Sequence, residues 1–302
     1  MYLVVGGTGP VGLGGEICRL LASTGRPTRA LVRPTSDARR TENLRRAGVE
    51  LVRGDLKDRE SLKRACQGVR CIISTASILV SRQADDTVES VDGRGHADLI
   101  DIAKDGGVES FVYTSISGRI DREFAFRNAK RDVERHLKES GLSYTILRPT
   151  FYMEVWLSPI GGFDYADARA TIYGEGHNRI SWLSFYDVAR FALLCLDHVS
   201  ARNATFDVGG PNAWSPLEVV EIFEDVSGRR FDVEFVSAEA LAEQESVGED
   251  SWTRSIAGLR RCYADGDAID MHAVAERFRM TWTSVRDYAH RVLSGPGAFR
   301  AC

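Results

Sequence analysis

The residues best suited to chemistry stand at the start of the chain. Val5-Gly6-Gly7-Thr8-Gly9-Pro10-Val11-Gly12 sets Gly6, Gly9 and Gly12 three apart, directly after the apolar run Tyr2-Leu3-Val4-Val5 and ahead of a helical pattern. A strand that must turn sharply, let a pyrophosphate reach its backbone and pack closely on the next helix needs glycine at such positions. The free N–H groups of the helix start then face the phosphates. Pro10 suits a first helical turn, where its missing N–H is not needed; Thr8 and Val11 belong to the same loop. The rival reading is a purely structural glycine turn, but the strand, loop, helix and second strand together favour a dinucleotide cradle. The second strand, Thr28-Arg29-Ala30-Leu31-Val32-Arg33, ends on a base. An acidic residue there would bind a ribose 2′-hydroxyl, whereas a guanidinium pairs with a 2′-phosphate. Arg33, with Arg39 and Arg40 close behind, points to NADP(H) in preference to NAD(H), unless Arg33 is only a solvated strand end. In Gly54-Asp55-Leu56, Asp55 either accepts from an adenine amino group, with Leu56 beside it, or caps the helix that starts near Asp58.

Further candidates follow later strands. Thr75, Ala76 and Ser77 leave the fourth strand and are expected against the cofactor. Ser115 lies just past the fifth strand, at the carboxyl edge where such sheets bind ligands. It either hydrogen-bonds a substrate carbonyl or is an ordinary loop serine; Tyr113 reads as core. Pro149, Thr150 and Phe151 leave the next strand and are expected to flank a nicotinamide. Tyr152 and Trp156 are expected to touch substrate, and Tyr152 is a remote candidate for a proton donor. Phe151, Tyr152, Met153, Trp156, Phe163 and Tyr165 concentrate a surface that suits a planar apolar substrate or, equally, a packed core between lobes. His96, His136 and His177 have no partner pattern and read as non-catalytic. No metal is expected: Cys18, Cys66, Cys71, Cys195, Cys262 and Cys302 form no C-x-x-C pair. They read as reduced thiols, mostly buried, with Cys302 exposed at the chain end.

These residues must be positioned by alternating strands and helices. Strands read at 2–5, 28–33, 49–52, 70–74 and 109–114, with helices at roughly 11–24, 37–47, 58–67 and 92–106 between them. The strands are short and apolar on both faces, as in a parallel sheet covered on both sides, so the fold class is α/β with a doubly wound parallel sheet. A longer helix at 124–140 closes on Gly141, and a strand at 144–147 stops at Arg148-Pro149. Residues 151–180 lose the pattern. Asp187 is a plausible N-cap for a helix at 188–196, a strand follows at 205–208, and Ser215-Pro216-Leu217-Glu218 is a capping box. The polar segment 238–268 has little period and suits a mobile lobe or lid. The expected division is a Rossmann unit over 1–150, completed by about 180–208, and a smaller substrate lobe from 151–179 and 209–302.

The bulk numbers agree with a soluble enzyme or binding protein. The 302 residues are 43% apolar and 27% charged with a formal net charge of −4. No basic stretch suggests a nucleic-acid partner, and no apolar run is long enough for a membrane helix. With no signal-peptide pattern at the start, a cytoplasmic location is the default expectation. A monomer or homodimer acting on a small molecule is expected.

Taken together, Gly6 to Gly12, Ala30-Leu31-Val32-Arg33, Gly54-Asp55-Leu56, Phe111-Val112-Tyr113-Thr114-Ser115, Lys130 and Ser140 to Pro149 resemble the NmrA-like branch of atypical short-chain dehydrogenases/reductases. Gly174-Glu175-Gly176, Asp187-Val188-Ala189 and Gly209-Gly210-Pro211 also fit. The resemblance covers about residues 1–225 and implies a Rossmann-type domain with a small C-terminal substrate lobe. It implies either an NAD(P)H-dependent reductase of quinones, phenylpropanoids or isoflavonoids, or a redox sensor that binds NADP without catalysis. Ordinary short-chain dehydrogenases carry Tyr-x-x-x-Lys on one helix face. Here Lys130 matches the lysine, but Phe126 stands where the tyrosine would be. Three readings of Lys130 stand: the general acid/base, a ribose-binding group, or a surface lysine paired with Glu134 one turn on. The first leads, and with it an NADPH-dependent reductase of a carbonyl, quinone or conjugated double bond. A sensor and, more weakly, an epimerase or dehydratase with a tightly bound nucleotide are the alternatives.

Overall fold

Short β-branched runs pair side by side in an order that fixes where a ligand can sit. The computed structural model describes residues 1–79 and 82–294. Strands β1 (Tyr2–Val5), β2 (Thr28–Val32), β3 (Glu50–Arg53), β4 (Cys71–Ser74), β5 (Ser110–Thr114) and β6 (Ser143–Pro149) carry the first half. The hairpin β7 (Phe163–Asp164) and β8 (Arg169–Tyr173) comes next, then β9 (Ala204–Val208) and β10 (Asp232–Val236). A seven-stranded sheet runs β3-β2-β1-β4-β5-β6-β9 with every pairing parallel, which is a Rossmann-type fold. The chain reverses direction across the sheet between β1 and β4, so a crevice opens past their carboxyl ends.

Helices α1 (Leu13–Ser23), α2 (Ala38–Arg46), α3 (Arg59–Cys66), α4 (His96–Asp105) and α5 (Ala125–Glu139) make the crossovers of the first half. They are followed by α6 (Met153–Trp156), α7 (Phe185–Asp197), α8 (Pro216–Ser227), α9 (Ala238–Val247), α10 (Ser251–Asp265), α11 (His272–Phe278) and α12 (Val285–Leu293). Alternate residues of each strand enter opposite cores. Leu3, Val5, Ile72, Phe111 and Tyr113 face one side with α3, α4 and α5; Tyr2, Val4, Ile73 and Val112 face the other with α1 and α7. A fully buried Phe or Ile of this kind contributes about 1.5–3 kcal/mol. The three-stranded sheet β10-β8-β7 packs beside α8 and α10 as a second, smaller layer.

Several expectations need correction. The helix expected over 92–106 is α4 preceded by a π-helical segment, Val88–Gly95. Asp187 does not cap α7. Ser184 does, accepting from Tyr186 N, while the buried Asp187 carboxylate accepts from Thr283 N at 2.6 Å and ties the C-terminal segment to α7. Ser215 forms its capping box with Glu218. The segment 238–268 holds two well-formed helices, α9 and α10. The apolar stripe of α10 was hidden because its buried face is built from Ser255, Ala257, Gly258, Leu259, Cys262 and Tyr263. Cys18, Cys66, Cys71, Cys195 and Cys262 are buried free thiols, and burial pushes Cys18 up to about 12; Cys302 lies outside the described residues.

Candidate active site

A cavity of about 260 Å³ opens at the carboxyl edge of the sheet, across the crevice between β1 and β4. Its floor is the glycine loop. Gly6 (φ 98°) and Gly12 (φ 103°) adopt left-handed backbone that a side chain would strain. A Cβ on Gly6 would lie 2.7 Å from Thr75 Oγ1 and 2.8 Å from Ala76 N, so only glycine lets β1 and the β4 loop meet. Close packing of α1 on the end of β1 falls to Gly14, whose Cβ would collide with the Gly6 carbonyl. Gly9 N and Gly12 N turn inward onto Gly6 O and Gly9 O. The first turn of α1 has no side-chain cap, which leaves its N–H end facing the cavity that Gly9, Pro10, Val11 and Gly12 line. This cradle fits a pyrophosphate.

The outer end of the cavity carries paired charges. Arg33 lines it and pairs with Asp86 at 2.8 Å; Lys57 holds the other oxygen of Asp86 at 2.6 Å. Burial works against the Asp86 charge, but Lys57, the Gln83 amide and Arg33 together hold it below the usual carboxylate range. Thr8 bonds Ser36, which also accepts from Arg33 N, so loop and strand end form one hydroxyl-rich rim. Asp55 lines the cavity and accepts from Lys57 N, with Leu56 beside it. The cap of α3 is Asp58, so the capping role weighed for Asp55 is set aside.

The inner end is a buried polar corner. Lys130, on α5, is not a surface residue and does not pair with Glu134. It lies buried at the cavity wall, 3.2 Å from Asp92 Oδ1 and 3.5 Å from the Thr114 carbonyl. Its ammonium also sits over the Tyr113 and Phe126 rings, at 5.1 and 5.2 Å from their centroids. Phe126 lines the cavity, so the position of the usual tyrosine presents a ring without a hydroxyl. Glu134 belongs to a separate buried network with Arg131 (2.7 Å) and Arg148 (3.0 and 3.1 Å). These cations and Ser115 hold it below the usual carboxylate range although burial opposes this. Ser115 Oγ donates to Glu134 at 2.5 Å. Its proton is engaged by Glu134, which counts against the reading in which it donates to a substrate carbonyl.

Between these ends run Thr75, Ala76 and Ser77 on one side and Pro149, Thr150 and Phe151 on the other. Tyr152 and Trp156 close the apolar wall with Ile256 and Leu259 of α10. Phe151 meets Trp156 edge-on at 5.1 Å, and Trp156 lies against Tyr263 at 5.6 Å. The aromatic segment thus divides: Phe151, Tyr152 and Trp156 line the cavity, whereas Met153 and Phe163 are core and Tyr165 stacks on Phe223. The Tyr152 hydroxyl is buried without a partner, and burial pushes it well above the usual phenol range, so it stays protonated and is a weak acid there. His96 is buried and neutral; burial beside Lys130 pulls it down to about 3. Its Nδ1 faces the Val91 carbonyl and must carry the proton, so Nε2 accepts from Ser74.

The profile of the NmrA-like family matches residues 2–289. The chain belongs to the NmrA-like family. An NAD(P)H azoreductase of Xenophilus azovorans is 32% identical over 236 residues, covering 76% of this chain and 74% of that protein. The photosystem II assembly factor Ycf39 of Cyanophora paradoxa is 31% identical over 233 residues, covering 76% and 70%. The triphenylmethane reductase of Citrobacter sp., solved with NADP(H), superposes with a TM-score of 0.77 over 97% of this chain and all of that one; at 19% identity it shares the fold.

In this NmrA-like chain the sequence reading missed Asp92, Asp86 and α10. Asp92 and Lys130 are far apart in the chain and share no motif. Among the described residues no helix is long and apolar enough to cross a membrane, and no cluster of His, Cys, Asp and Glu is arranged to hold a metal.

Proposed function

We propose that this protein is an NADPH-dependent reductase of a carbonyl, quinone or conjugated double bond in a planar, apolar molecule. The observation that carries the reading is the buried ammonium of Lys130, 3.2 Å from Asp92, in the wall of an aromatic cavity continuous with the glycine cradle. Residues 1–150, completed by about 180–208, are read as the nucleotide unit; 151–179 and 209–302 shape the substrate side.

The cradle around Gly6, Gly9 and Gly12 would hold the pyrophosphate, and Arg33 with Thr8 the 2′-phosphate. Pro149, Thr150 and Phe151 would flank the nicotinamide, which when bound supplies the hydride. Everything else falls to the chain. The aromatic wall excludes water and orients a flat acceptor. Lys130 stabilises negative charge on the acceptor and gives it one proton, so that hydride and proton together complete a two-electron reduction. Relatives named as an azoreductase and an isoflavone reductase homolog support this class of substrate. The test is NADPH oxidation against a panel of quinones, azo dyes and aromatic enones. Turnover with at least one acceptor supports the reading.

Phe126 favours a second reading, a regulatory or assembly protein that binds NADP(H) without turnover; a relative is named as an assembly factor. Tight NADPH binding with no acceptor reduced would select it.

A further inference from the structure

The π-helical turn over Val88–Gly95 puts a carboxylate where an α-helix would not. Widening the ring from i+4 to i+5 adds a residue to the turn and rotates the side chains that follow. The turn is firmly built. Thr87 and Ser90 make a reciprocal capping box, and Gly95 passes so close to Leu56 that a Cβ would lie 2.9 Å from its side chain. Its product is Asp92, fully buried, with Oδ2 accepting from Ile78 N at 3.2 Å and Oδ1 at 3.2 Å from Lys130 Nζ with no aligned hydrogen bond.

We propose that Asp92 is a positioning residue that holds Lys130 as an ammonium at the cavity wall and draws a proton back to it after each transfer. The second half of this rests on Lys130 being the proton donor; the first half does not. The other groups around the pair cannot replace Asp92. His96 on α4 is neutral, and Tyr113 on β5 is a phenol with no hydrogen-bond partner. Glu134 on α5 is bound to Arg131 and Arg148, and Ser77, in the loop after β4, brings only a hydroxyl. When an N–H bond of Lys130 breaks and the proton joins the acceptor, Asp92 becomes a lone buried anion beside a neutral amine. That state is costly in a low-dielectric site. The pair is relieved when a solvent proton reaches the amine and restores the N–H bond.

The chain carries five lysines, Lys57, Lys63, Lys104, Lys130 and Lys138, so the side-chain carbon of each can be followed by NMR in labelled apoprotein, with Lys130 identified by its loss in Lys130→Arg. In Asp92→Asn, Lys130 is expected to release its proton at least one pH unit lower than in wild type, and the alkaline limb of NADPH oxidation to move the same way. An unmoved Lys130 titration overturns the proposal. Wild-type protein gives an independent reading if the variant does not fold. The Asp92 carboxyl carbon must shift at the pH where Lys130 loses its proton, and a carboxyl blind to that event also overturns the proposal. Full turnover in Lys130→Ala would remove the donor role while leaving the NMR outcome to decide the pairing.

Discussion

At the scale of single residues, this site is governed by which charge faces which. Arg33 already neutralises Asp86 at the rim, so a 2′-phosphate there would join an existing network rather than meet an idle cation. Arg33→Ala is expected to weaken NADPH by roughly 10–100-fold, the worth of a charge-assisted contact, with little change for NADH. Fluorescence titration with both nucleotides checks this, and equal losses would refute the assignment. Glu134 makes a second case. Removing its charge leaves Arg131 and Arg148 half-buried without their partner, so Glu134→Gln should destabilise the fold by roughly 3–5 kcal/mol in urea unfolding. The sequence revealed these residues unevenly. Arg33 was legible because it ends a strand at a fixed distance from a glycine loop. Lys130 was legible only through a family likeness, and the one partner weighed for it, in the least favoured of three readings, was Glu134, since helical spacing places Glu134 nearby but says nothing of what comes from another element. Asp92 was invisible because its role depends on a helix register that no residue pattern announces.

At the scale of elements, close packing and local helix geometry build the cavity. The β1–α1 junction leaves no room at Gly14, and Gly14→Ala is expected to cost about 1–3 kcal/mol and to abolish nucleotide binding; differential scanning fluorimetry with and without NADPH measures both. The π-helix to α4 junction should make stability depend on acid. His96 is neutral in the fold, with its proton affinity lowered from the ordinary 6.5 to about 3. Between those values the unfolded chain binds the extra proton, so stability is fully present above about pH 6.5 and declines as pH falls toward 3. The limiting slope is about 1.4 kcal/mol per pH unit. Denaturant midpoints across this range should fall less steeply for His96→Gln than for wild type, and parallel curves would count against the assignment. The strands of the parallel sheet were readable because burial on both faces writes continuous Val, Ile and Leu into them. The helix α10 was not, because small and polar residues fill the face that packs on Phe124 and closes the cavity.

At the scale of the whole molecule, the order β3-β2-β1-β4-β5-β6-β9 gathers the glycine loop, the ends of β4, β5 and β6, and the helices α5 and α10 around one cavity. Loops from the sheet form the side that holds the glycine cradle, while α6 and α10 add the aromatic and aliphatic wall. The central claim is that this arrangement reduces a planar substrate with Lys130 handling the proton. Its most direct test is the rate of NADPH oxidation with a reducible quinone, wild type against Lys130→Ala, in variants shown to bind NADPH equally. A fall in kcat of about 10²–10⁴-fold is predicted; undiminished turnover in Lys130→Ala would contradict the account.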